Sequence, residues 1–136
     1  TPLFTSQGKN LIGCWGCMDC ERKVDVVEAY SPPRVTATTK LLPELRLIPG
    51  FALDLTTVNE RGEPWNFDLK VMRDEALRRV RDERPLLLVG SLRDPMVVKN
   101  EMRDALVHLR FCVELYREQV RHGRDFLHEH PHPTSS

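Results

Sequence analysis

The sequence predicts an α/β domain built on a small open, mostly parallel sheet with flanking helices. Three observations carry this. Short apolar or β-branched runs alternate with stretches of helical spacing. Each run is closed by a turn signal. The most apolar run, Leu86 to Ser91, reads as a strand covered on both faces, as in parallel sheets.

Residues 1–23 read as an irregular leader. Val24 to Tyr30 is the first strand, stopped by Ser31-Pro32-Pro33. Residues 34–47 read as a helix broken at Pro43, because proline lacks the amide hydrogen and clashes with the preceding turn. Pro49-Gly50 reads as punctuation before the second strand, Phe51 to Leu55. Residues 58–67, with Asn59, Gly62 and Pro64, read as a loop. Asp68 is a candidate N-cap for a helix with Leu69, Met72, Ala76, Leu77 and Val80 at helical spacing. Arg84-Pro85 ends it, and the third strand follows. The longest helix runs from about Asn100 to His122. Met102, Leu106, Leu109, Val113, Tyr116 and Val120 form an apolar stripe, read as its core face, and Gly123 stops it. Arg124 to Pro131 is the last strand and 132–136 a tail. The domain therefore spans 24–131.

The chain has 136 residues, a one-domain length. Lys plus Arg equals Asp plus Glu, which argues against a strongly basic nucleic-acid footprint. No apolar run reaches the roughly eighteen residues of a membrane span, and Thr1 to Asn10 has no apolar signal core. The expected location is intracellular, nuclear or cytoplasmic, with no membrane partner. A start at Thr1 rather than Met suggests a piece of a longer chain.

In parallel sheets, ligands sit beyond the carboxyl ends of the strands. Glu28, Ser31, Asp54 and Ser91 are therefore expected to border one cleft. Asp54 lies 23 residues after Ser31, a spacing that suits an acceptor for ribose hydroxyls, though a strand-end aspartate also makes turn bonds to backbone. Gly90 leaves room for a ligand against the backbone. Alternation puts His128 and His130 on one face and Glu129 on the other. Glu129 is a candidate acid or base. Cys14-x-x-Cys17-x-x-Cys20 resembles a zinc-ligand cluster, but one compact triplet falls short of paired knuckles, and the fourth ligand would have to be mid-helix Cys112 or a histidine.

Val26 to Val35, Gly50 to Thr57, Pro85 to Ser91 and Gly123 to Pro131 resemble, in order and spacing, segments of the cytosine-C5 DNA methyltransferase fold. The phrases YSPPRVTA, GFALDLTT, RPLLLVGS and ELYREQVRHGRDFLHEHP are similar to methyltransferase-like segments in open reading frames of retroelement type. The resemblance implies a partial Rossmann-like fold and S-adenosylmethionine as cofactor. Asp54 would take the ribose position and Asp68 a place near adenine, with Glu28, Ser31 and Ser91 around them. It implies DNA as partner, gripped by regions flanking these strands; no protein partner is implied. Two departures point to an inactive domain. Ser31-Pro32-Pro33 stands where the family has a glycine-containing turn, so the cofactor would be held weakly. Gly90-Ser91 is followed by Leu92-Arg93-Asp94, so Asp94 stands where the nucleophilic cysteine belongs. Glu129-His130-Pro131 keeps the glutamate of the family's Glu-Asn-Val motif. The expectation is a catalytically inactive methyltransferase-like fragment of a larger mobile-element polyprotein. The alternatives are a residual S-adenosylmethionine-dependent DNA methyltransferase and a zinc-binding interaction module.

Overall fold

The computed structural model describes residues 23–92 and 102–130. Within them the chain runs β1 (Val26–Ala29), α1 (Val35–Leu41), a 3-10 turn (Pro43–Leu45), β2 (Pro49–Leu53), α2 (Lys70–Glu83), β3 (Leu87–Gly90), α3 (Met102–Arg121) and β4 (Asp125–His128). The four strands form one sheet in the order β2-β1-β3-β4, and every pairing is parallel. The expected α/β class and parallel sheet are thus observed.

The register levels the strand ends. Ala29 lies beside Leu53 on one side and Gly90 on the other, and Gly90 lies beside His128. Tyr30, Asp54, Ser91 and Glu129 therefore leave the sheet along one edge. The chain goes from β1 outward to β2, then crosses back over β1 to reach β3. The strand order reverses between β1 and β3, where a crevice forms in open α/β sheets.

Central strand β1 alternates between two covered faces, whereas edge strand β4 is exposed along its length. Glu28 points to the α1 side, where it meets Thr36. Val27 and Ala29 point the other way, into a core with Leu53 and Leu88 under α2 and α3. Met72, Ala76 and Val80 come from α2; Phe111, Leu115 and Tyr116 come from α3. Trp65 and Phe67, from the loop before α2, complete an aromatic cluster with Tyr30 and Phe111.

Three local expectations change. Pro49-Gly50 belongs to β2 rather than preceding it. Proline is tolerated there as the first residue of an edge strand. Glycine is required next, because a Cβ at position 50 would press on the Val26 carbonyl and the Val27 side chain. Asp68 does not cap α2. The cap position is Leu69, with no side-chain cap bond, and Asp68 turns to α3 instead. Tyr30 has left the strand, at φ 61°.

The largest correction concerns α3. Leu106, Leu109 and Val113 are exposed, at 46, 48 and 37% of full accessibility, and Val120 at 59%. The buried face is Phe111, Cys112, Leu115, Tyr116 and Gln119, rotated from the expected one. Only Tyr116 belongs to both. The helix carries two apolar stripes, and spacing alone does not say which meets the sheet. The helix ends as expected: Gly123 adopts φ 71°, and the Arg124 amide donates to the Gln119 carbonyl at 2.8 Å.

Candidate functional site at the strand ends

At the carboxyl end of β1 the chain turns sharply through Tyr30. A bulky residue at positive φ costs about 1–3 kcal/mol. The turn brings Ser31, Pro32 and Pro33 back over the sheet and starts α1 at Val35. Two prolines supply no amide hydrogens, so the remaining amides at this helix start need an outside acceptor. Glu28 provides it. Its buried carboxylate accepts from the Arg34 amide (3.0 Å), the Thr36 amide (2.8 Å) and the Thr36 hydroxyl (2.7 Å). A charge fixed this way stabilises the positive end of the helix.

Arg34 then becomes the centre of the edge. Its Nε donates to Ser31 Oγ at 3.0 Å. Its Nη2 donates to Ser91 Oγ at 3.2 Å and to Glu129 Oε1 at 2.9 Å. Ser91 also donates to Glu129 Oε1, at 2.8 Å. One guanidinium thus ties together the ends of β1, β3 and β4. The Ser91 hydroxyl, and then the Arg34 charge, hold the Glu129 carboxyl below its ordinary range.

The opposite face of the same edge is also filled by the protein's own side chains. The Tyr30 hydroxyl meets His108 Nδ1 at 2.9 Å, and His108 Nε2 meets Asp68 Oδ1 at 2.8 Å. Burial pushes the Tyr30 phenol up, so it stays protonated. Next to it the Tyr116 hydroxyl sits against Gly90 and meets His128 Nδ1 at 2.7 Å. The space that Gly90 leaves free is therefore taken by Tyr116, not by a ligand.

Glu28, Ser31, Ser91 and Glu129 come together as one bonded group. Asp54 leaves the sheet along the same edge but stands outside that group. Its carboxylate accepts from the Thr56 amide (3.1 Å) and hydroxyl (2.6 Å), closing a local turn. Asp68 also stands apart, across the Tyr30 side of the edge. Asp94 and Cys14, Cys17 and Cys20 lie outside the described residues. Cys112 is buried in α3, and burial pushes its thiol up, away from a nucleophile. Among the described residues, no three His, Cys, Asp or Glu side chains converge to hold a metal ion.

Sequence reasoning missed Arg34, Tyr30 and His108. Arg34 had one available signal: it is the first residue after a turn that two prolines stiffen at a strand end. His108 had none, since its role depends on which face of α3 turns inward. A cleft of about 330 Å3 also exists, lined by Trp65, Glu75, Arg78, Arg79 and Asp82 among others. It includes no strand-end residue and mixes charges already paired, such as Arg79 with Glu83 and Glu75 with Arg61.

No helix among the described residues is long and apolar enough to cross a membrane. No protein-family model, curated protein or solved structure matches the chain.

Proposed function

We propose that this chain is a methyltransferase-like α/β domain that does not transfer methyl groups and serves a larger mobile-element polyprotein as a folded, non-catalytic module. One observation carries the reading: the state of Glu129. In the resembled enzymes the matching glutamate assists attack on cytosine by protonating the ring, which requires a carboxyl group that holds a proton near neutral pH. Here Ser91 and Arg34 keep the carboxylate ionised and occupied. The pull is opposite to the one a general acid needs.

Two further features support it. Asp94 offers no soft thiolate for addition at cytosine C6. The crevice between β1 and β3 is filled on one face by Arg34 and on the other by Tyr30, His108 and Tyr116. S-adenosylmethionine, if it binds, must displace these bonds, and an affinity near 1 mM corresponds to only about 4 kcal/mol. Glu28 and Ser31, both buried and bonded to the start of α1 and to Arg34, would have to be released to meet its charged methionine end, and Asp54 would have to open its turn to reach a ribose.

The test is calorimetric titration with S-adenosylmethionine, together with labelled-methyl transfer to cytosine-containing duplex. The expected result is binding no tighter than about 1 mM and no transfer above a heat-killed control. Incubation with 5-fluorocytosine duplex should trap no adduct, and Asp94→Cys should not restore one. Micromolar binding or any trapped adduct would overturn the reading.

A further inference from the structure

The outer face of α3 is unexplained by the strand-end site. Leu106, Leu109, Val113 and Val120 fall within an arc of about 60° at 100° per residue. With buried Tyr116 they follow heptad spacing: Leu106, Val113 and Val120 at a, Leu109 and Tyr116 at d. The seam lies toward β4, because Tyr116 stacks on Phe126 at 4.3 Å between ring centres. Phe126 is itself 41% exposed.

The other border of the seam is a row of arginines. Arg103, Arg110 and Arg117 recur every seven residues, at the e positions of the same heptad. All three are exposed, and none makes a side-chain hydrogen bond or ion pair among the described residues. Of the g positions, Cys112 and Gln119 are buried and Ala105 is half-buried and uncharged. The face is therefore an apolar seam with positive charge along its single open flank.

We infer that this face docks an amphipathic helix of another protein, one that presents leucine-like side chains to the seam and acidic residues to Arg103, Arg110 and Arg117. Charge excludes the simplest alternative. A second copy paired antiparallel through the same seam sets e against e, arginine against arginine. Paired parallel, it sets arginine against Cys112 and Gln119, which are buried and uncharged. A nucleic acid would use the arginines but leave the seam uncovered. A bilayer surface asks for a broad apolar face, and this stripe is about one residue wide per turn. The inference rests on α3 alone and survives or fails independently of the strand-end site.

The experiment uses two three-heptad peptides, each with leucine at a and d; one has glutamate at e and g, the other lysine. Binding to the full chain is followed by fluorescence anisotropy. The glutamate peptide should bind saturably, at least tenfold more tightly than the lysine peptide. In Arg110→Glu/Arg117→Glu protein the preference should reverse, an outcome that misfolding cannot imitate. Leu109→Asp should abolish binding of both, with the far-ultraviolet circular dichroism unchanged. Equal binding of the two peptides, or none, would overturn the inference. So would sedimentation showing a dimer that Leu109→Asp dissolves, which gives the face to a second copy. Binding to phosphatidylserine vesicles or duplex DNA but to neither peptide overturns it in favour of those surfaces. Peptide binding that appears only after removal of residues 1–22 assigns the face to the chain's own leader.

Discussion

Tyr30, Gly90 and Glu129 show how single positions decide the strand-end chemistry. Tyr30 takes a backbone conformation that glycine holds at lower cost, and its ring and hydroxyl offset the strain through Phe67, Phe111 and His108. Tyr30→Gly removes both the strain and its compensation, so a net loss of about 2–4 kcal/mol is expected in urea denaturation, as for other large-to-small core changes. Gly90→Ala should cost about 1–3 kcal/mol by overpacking, because the new methyl group meets the Tyr116 hydroxyl. Adding Tyr116→Phe should recover part of that loss, since it deletes the colliding oxygen; a fully additive double mutant would refute the contact. For Glu129 the sign of the pH effect follows from its lowered pKa. The unfolded chain takes up the proton first as pH falls. The Ser91 and Arg34 bonds therefore contribute fully above the ordinary carboxylate range and are lost as pH drops through the folded value. A carboxyl-carbon NMR titration should show Glu129 titrating below the exposed glutamates, and Ser91→Ala should move it upward.

At the scale of the element, α3 is the test case. Its helical period and glycine stop are legible from local spacing, because a helix and its cap are set by neighbours within a few residues. Its orientation is not. Leu115 is fully buried, whereas Leu109 is about half exposed. Leu115→Ala should cost about 2–5 kcal/mol in chemical denaturation, and Leu109→Ala less than about 1 kcal/mol. The opposite ranking would restore the stripe that the sequence favours. α1 makes a complementary point. It is only seven residues long and has no side-chain cap of its own; Glu28, on the preceding strand, satisfies its start. Glu28→Ala should destabilise the domain by about 2–4 kcal/mol through orphaned buried donors. Glu28→Gln, which keeps one acceptor oxygen, should cost less.

For the whole molecule, the sequence by itself determines the alternation of strands and helices, and so the parallel sheet. It also determines the shared carboxyl edge and the reversal between β1 and β3. These follow from hydrophobic period, proline and glycine placement and the handedness of crossovers, which are local or topological rules. Placing Ser31, Ser91 and Asp54 along one edge was also within reach, because residues just past the ends of neighbouring parallel strands leave the sheet side by side; that Asp54 closes its own turn while Glu129 joins the serines was not. Only the tertiary structure decided what that edge does. The bonds from Arg34 to two serines and a glutamate span up to 95 positions, and the Tyr30–His108–Asp68 chain joins three separate segments. Such contacts depend on side-chain direction and on the rotation of α3 about its axis, set by how Phe111, Leu115 and Tyr116 fit the core. A stripe of leucines can satisfy the same helical period on either side. The buried one is chosen by shape complementarity with residues far away in the chain, and the other is left facing outward beside three arginines.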